Sequence, residues 1–300
     1  MFPFIYRLWR YSGLPEDLTT STVTRLGEIQ PAKPLPALGM ETEQILQGAL
    51  LNPFHLSPLW QRPSHGIDGI EARPEKILVA DDGSEASAAA ARDAGFLADH
   101  YGCKTISSTV ARGPVTKILL ETAIREGCDM IAVGTQARPL QDRIHHPSIS
   151  EQLVKESASP VWISRAGPTG SLRGKLERIL VPMDDTPQAW RAASQALIFA
   201  RDFGADLFLL HVARKGQEPS GQVEGRHALL EKIPWKRTQT LEVAQRADLA
   251  DTIAGEAESQ DADLILMGTH RAETEAAVMD FSRTSRVVRV ARRPLLVVHP

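Results

Sequence analysis

Two cysteines in 300 residues, Cys103 and Cys128, are too few for a disulfide framework. Such usage fits a reducing cytoplasm. Long apolar runs are missing too: no stretch approaches the roughly eighteen uninterrupted apolar residues that a membrane-spanning helix needs. The opening Met1-Phe-Pro-Phe-Ile-Tyr-Arg7 sets Pro3 and Arg7 in its apolar run and makes a poor secretory signal. Neither sign of charge is in excess, with 34 Lys and Arg against 37 Asp and Glu for a net charge of −3. The chain as a whole therefore has no polyanion footprint, and no nucleic-acid partner is expected. These absences leave a cytoplasmic globular protein, long enough for two domains.

Proline is unevenly spread. Nine of the 20 fall at or before Pro74, a density that excludes long helices and central strands over residues 1–74. One short amphipathic helix fits Glu41 to Leu51. Phe2, Phe4, Tyr6, Trp9, Tyr11, Phe54 and Trp60 are too many aromatics for a solvated tail. Residues 1–74 read as an arm wrapped over the rest of the chain, or as a docking arm.

Beyond residue 74 the chain repeats itself. Met130 to Val133 is an apolar run stopping at Gly134-Thr135, followed by a helical pattern and Pro160-Val-Trp-Ile163. Leu264 to Met267 stops at Gly268-Thr269 and leads through a helical pattern to Pro294-Leu-Leu-Val-Val298. The step from Gly to Pro is 26 residues in each copy (160 − 134 and 294 − 268). Apolar runs separated by helices form parallel sheets covered on both faces. Ile77 to Ala80 and Ile179 to Pro182 begin the two copies at an offset of 102 (179 − 77). At the Gly-Thr turn the offset is 134, so the first copy is shorter by 32 residues (134 − 102), about one strand and one helix. Helices are expected at about 85–101, 115–126, 187–203, 224–233 and 247–259. Strands are expected at Thr105 to Ala111, Leu207 to Val212 and Thr238 to Ala244. Ala166 to Lys175 reads as a flexible, turn-rich join, giving domains at 75–166 and 176–300.

Five motifs in order, Ile-Leu-Val-x-x-Asp, Leu-Leu-His-Val, the Gly-Thr strand end, a Ser opening the next helix, and Pro-Val or Pro-Leu, resemble the universal stress protein family in its tandem form. The resemblance covers about residues 75–300. It implies an α/β fold of two tandem doubly wound parallel-sheet domains, Rossmann-like and adenine nucleotide alpha hydrolase-like.

Nucleotide-binding members of that family carry Gly-x2-Gly-x9-Gly-Ser/Thr after strand four, where glycines let backbone N–H groups approach phosphate at a helix N-terminus. Here the positions read Gly134, Ala137, Pro147 and Ser148 in the first copy, and Gly268, Arg271, Phe281 and Ser282 in the second. Asp82 and Asp184 match the family's nucleoside-contacting aspartate, and Val212 its adenine-contacting position after strand two. The first copy reads as lacking strand two, so Asp82, Gly134 and Ser148 are vestigial. Asp184, Val212, Gly268, Arg271 and Ser282 form the candidate site. ATP or AMP is conceivable in the second domain only, with Arg271 as a cation toward phosphate.

Other candidates yield to plainer readings. Arg283, Arg286, Arg289 and Arg292 recur every three residues as a solvated face, with Val287, Val288 and Val290 inward. His145, His146 and His270 lack further ligands at metal spacing. Neither Cys has a His partner for a catalytic thiol. Asp81-Asp82 and Asp184-Asp185 suit strand-end turns. The expectation is a non-enzymatic stress-response protein with degenerate nucleotide sites, acting through a protein partner that the sequence does not name. Its apolar last strands, Val161 to Ser164 and Leu295 to Val298, are edges that need cover, and the family resemblance implies that they pair antiparallel within the chain. That arrangement leaves room for a further homo-oligomer.

Overall fold

The computed structural model of the protein describes residues 73–110, 113–136, 148–184, 186–213, 233, 235–245, 248–269 and 275–299, with the backbone alone over 275–282. The expected helices at 41–51 and 224–233, and the N-terminal arm up to residue 72, lie outside the described residues.

The first repeat runs β1 (Lys76–Ala80), α1 (Glu85–Tyr101), β2 (Lys104–Ser108), α2 (Val115–Glu126), β3 (Met130–Thr135), α3 (Ile149–Glu156) and β4 (Val161–Arg165). The second runs β5 (Arg178–Met183), α4 (Pro187–Phe203), β6 (Asp206–Ala213), β7 (Thr238–Ala244), α5 (Leu249–Ser259), β8 (Leu264–Gly268), α6 (Glu275–Val290) and β9 (Leu295–Val298). Local chemistry sets the boundaries. Ser84 and Thr186 cap α1 and α4, each hydroxyl accepting a backbone N–H three residues on. Both helices stop at a left-handed residue, Gly102 and Gly204, each with φ 67°, a conformation that glycine adopts without strain.

All nine strands form one sheet in the order β2-β1-β3-β4-β9-β8-β5-β6-β7. Each half is parallel throughout, and the halves meet where β4 runs antiparallel to β9. Every residue of both strands is buried, so the apolar edges expected to need cover protect each other. The helices α1 and α4 line one face with Ala90, Leu97, Ala192 and Phe199. The other face carries Leu119 of α2, Leu153 of α3, Ile253 of α5 and Val287 of α6. On α6 Val287 and Val288 point inward as expected, but Val290 is 38% exposed, because at about 3.6 residues per turn it falls outside the arc that Val287, Val288 and the following Ala291 bury.

The described residues give the first half four strands and the second five. The strand missing from the first half is not strand two. Ala80 pairs with Ser108 and Pro182 with Leu210, each member offset by 102 from its counterpart, so β2 stands beside β1 as β6 stands beside β5. What the first half lacks is the counterpart of β7. The strand expected at Thr105 to Ala111 is this β2, running Lys104–Ser108. Its polar sequence, Lys-Thr-Ile-Ser-Ser, does not match the apolar Leu-Leu-His-Val of strand two, since an edge strand with exposed residues has no need of an apolar run.

The join between the halves is pinned down. Leu172 and Leu176 are buried in the α1/α4 face, and Arg165 N–H donates to Gly170 O at 2.7 Å. Leu172 N–H donates to Asp93 Oδ1 at 2.9 Å. The other oxygen of Asp93 accepts from Trp162 Nε1–H at 3.1 Å and Ser164 Oγ–H at 2.7 Å. Asp93 is 1% exposed. Burial pushes its carboxyl above the usual range, against the pull of Ser164, Leu172 and Trp162. The join read as flexible from composition is thus anchored to the core at Leu172, through a buried carboxylate with three donors.

Candidate functional site

Parallel α/β sheets place ligand clefts at the carboxyl ends of their strands, and each half has one. The second-half cleft, about 520 Å³, lies over the ends of β5, β6 and β8. It brings together Asp184, Val212 and Gly268, with Gln188, His211, Gln245 and Asp248 around them and Arg283 and Arg286 from α6. Asp184 is turned toward its own loop, where Oδ1 accepts from Thr186 Oγ1–H at 2.6 Å and Thr186 N–H at 3.3 Å. Arg286 is held at 3.0 Å by Asp248, the N-cap of α5.

The first-half cleft, about 310 Å³, gathers Asp82, Gly134 and Ser148. Val110, the counterpart of Val212 (212 − 110 = 102), is there too, so the adenine-side wall read as absent from this half is present. Asp82 Oδ1 accepts Ser84 N–H at 3.0 Å, and hydrogen bonding from Ser84 holds its carboxyl below the usual range. Asp81 Oδ1 accepts Gly83 N–H and Ser87 Oγ–H. The first-half aspartates thus do turn chemistry. Ser148 caps α3 in a capping box with Glu151.

Glu151 was not singled out by sequence reasoning, though Ser148-x-x-Glu151 is a capping-box signal. It is 3% exposed. Its Oε2 accepts Ser148 N–H and Oγ–H at 2.9 Å each. Its Oε1 accepts Ser285 Oγ–H and Arg289 Nε–H from α6, both at 2.6 Å. Burial alone would raise this carboxyl, but the donors Ser285, Ser148 and Arg289 outweigh it and hold it below the usual range. Arg289 and Val288 also line the first-half cleft, whose wall is therefore built from both halves.

The strand-end glycines have a packing duty of their own. A Cβ on Gly134 would stand 2.2 Å from Ala86 C, and one on Gly268 would stand 2.2 Å from Gln188 O. In each half the strand end lies against the first turn of the repeat's first helix, α1 or α4, leaving room for hydrogen only.

The remaining loop positions divide. Ala137, Pro147 and Arg271 lie outside the described residues, as do His145, His146, Asp185 and His270. Ser282 does not open a helix: α6 starts at Glu275, and Ser282 falls inside it. The run Glu275-Ala-Ala-Val-Met holds four good helix formers in five residues and starts α6 early, so Ser282 has no N-terminal amides to cap. The basic stripe is not simply solvated either, since Arg286 and Arg289 are engaged by Asp248 and Glu151. Among the described residues no cluster of three or more His, Cys, Asp or Glu is placed to hold a metal, and no helix is long and apolar enough to cross a membrane.

The universal stress protein family model matches residues 104–165 and 175–299. The chain is 25% identical over 207 residues to a universal stress protein of Mycolicibacterium smegmatis (strain ATCC 700084 / mc(2)155), covering 65% of this chain and 69% of that protein. It is similar to the crystal structure of a universal stress protein from Archaeoglobus fulgidus DSM 4304, with a TM-score of 0.60 and 19% identity over 76% of this chain and 96% of the other. A second solved structure, from Pseudomonas aeruginosa UCBPP-PA14, matches with a TM-score of 0.57 and 15% identity over 76% and 94% of the two chains. At those identities the structures speak to the fold. The family model speaks to descent: with two matched segments in tandem that take in more than half of its length, the chain belongs to the universal stress protein family.

Proposed function

We propose that this protein serves the stress response without catalysing a reaction, through protein partners, and that its nucleotide sites are degenerate. Membership of the family supports the stress role. The observation that carries the degenerate-site reading is the placement of Ser282 inside α6. The family resemblance assigns that position to the helix N-terminus at the phosphates, where free backbone N–H groups are needed. Residues 75–166 and 176–300 act as two domains fused about one sheet, with a cytoplasmic location in keeping with the cysteine usage.

The test is a titration of the full chain with ATP by calorimetry, together with analysis of adenine compounds released when protein purified without nucleotide is denatured. Weak or no binding, at most one site per chain, and no released nucleotide is the expected result. Two micromolar sites would overturn the reading. Replacing Arg271→Gly and Phe281→Gly together should raise ATP affinity if side-chain bulk alone obstructs the second-half loop.

One arrangement favours a second reading, an ATP- or AMP-binding switch in the second half alone. Asp184, Val212 and Gly268 do converge there on a cleft of about 520 Å³. A single site lost on Asp184→Ala would select it.

A further inference from the structure

In the second half β6 is covered along its outer side by β7, in register from Leu207↔Thr238 to Ala213↔Ala244. Its counterpart β2 ends the sheet among the described residues. Lys104 N–H donates to Glu75 O and Ser108 O accepts Asp81 N–H, so both residues face β1. By the alternation of a parallel strand, Thr105 and Ser107 turn their N–H and C=O groups outward, and no described residue meets them.

The covered edge shows what the open one lacks. Leu241 and Val243 of β7 pack against the sheet's α2/α5 face. On the same face of the first half Ile106 is only partly buried, where its counterpart Phe208 (208 − 106 = 102), beside β7, is 6% exposed. Charge adds direction. Arg237, just before β7, pairs with Asp206 at 2.6 Å. The counterpart of Asp206 is Lys104 (206 − 104 = 102), which has the opposite charge and is exposed. A strand covering β2 as β7 covers β6 would need an acid where β7 has its arginine.

We propose that the outer edge of β2 is a docking site for an extended segment of a partner protein, added as a parallel strand. That segment carries an acidic residue to meet Lys104 and apolar residues four and six positions further on, as Leu241 and Val243 follow Arg237. A second copy of this chain offers no acid in its own β2. This rests on the partner-binding reading above and gives it a surface.

The probe is the peptide Glu-Thr-Gln-Thr-Leu-Glu-Val-Ala, which is β7 with Glu in place of Arg237, titrated into the full chain by fluorescence anisotropy. Saturable binding is expected, with Thr105 and Ser107 amides exchanging fast in the free chain and slowed by peptide. Lys104→Glu should weaken binding about tenfold or more, and the same peptide with Arg at its first position should restore it. Ser107→Pro, which removes an outward N–H, should weaken binding comparably. If that variant melts early, the charge-reversal pair decides alone. No saturation at millimolar peptide, or binding indifferent to Lys104→Glu, overturns the proposal. Slow exchange at Thr105 and Ser107 in the monomeric free chain overturns it too, as the chain would then cover its own edge. Self-association abolished by Lys104→Glu also overturns it, in favour of a second copy. All these outcomes are independent of the ATP titration, so the two readings fail separately.

Discussion

Glu151 and Ser285 hold the same position in the two repeats, 134 residues apart, and hydrogen-bond to each other at 2.6 Å. They lie on a pseudo-two-fold axis that also passes between Trp162 and Leu296, again equivalent and again paired. Off the axis the contacts come in exchanged pairs. Arg165 Nη2–H donates to Val288 O, and His299 Nε2 meets Val154 O at 2.7 Å; His299 is the counterpart of Arg165, and Val288 of Val154. Two identical halves would bring Glu151 against Glu151, a like-charge contact between buried groups. Fusion lets one copy be serine.

Val297 faces Val161 across the junction and is fully buried. Val297→Lys should cost about 3 kcal/mol or more, since it buries an unpaired charge. The measured outcome is a large fall in melting temperature with aggregation, against a mild loss for Val297→Ala. A soluble Lys variant with unchanged melting would mean that the halves do not meet here.

Removing the carboxylate at Asp93 should cost about 1–3 kcal/mol. Asparagine supplies one acceptor oxygen where Asp93 uses two, so an amide N–H₂ must face Leu172 N–H or the donors of Trp162 and Ser164. Because the folded carboxyl lies above its ordinary 3.8, its stabilising contribution is full below that pH and declines as pH rises through the raised value. Urea unfolding of wild type and Asp93→Asn should therefore show a gap that narrows as pH rises. A gap that widens would mean that the carboxylate is stabilised as the anion.

Glu151 has the opposite sign. Held below its ordinary 4.5, it contributes stability above that value and loses it as pH falls through the lower folded value. Glu151→Gln should flatten the acid side of the stability profile and cost about 1–3 kcal/mol at neutral pH. An acid limb identical to wild type would mean that other carboxylates set it.

Gly134→Ala and Gly268→Ala test whether these residues serve packing as well as any ligand. A methyl 2.2 Å from backbone atoms forces the strand end and helix apart, at a cost of about 1–3 kcal/mol each. Full stability in both variants would leave ligand approach as the reason for glycine.

Much of this architecture is legible in the sequence, because buried parallel strands must be continuous apolar runs and because repetition doubles each signal. The stop at Gly102 follows from such local rules, and the pairing of Leu295 to Val297 with Val161 to Ile163 from the need to cover two apolar edges together with the family resemblance. Three features escape them. The edge strand Lys104–Ser108 is legible as a strand but too polar to match strand two of the second repeat, so the motif comparison places the missing strand one position too early. The start of α6 depends on helix-forming residues outcompeting a family spacing, which moves Ser282 into the helix. The role of Asp93 depends on Trp162, Ser164 and Leu172, which lie about 70 to 80 residues away in the chain; only folding brings them together.

The antiparallel seam also sets a clock. Ile163 in β4 pairs with Leu295 in β9, which is made 132 residues later (295 − 163). At about 5–20 residues per second, synthesis leaves the apolar rim of β4 without its partner for roughly 7–26 seconds. A stress-response protein of this build is thus itself vulnerable while it is being made, and chaperone supply rather than final stability would set its yield when the cell is already short of folding capacity.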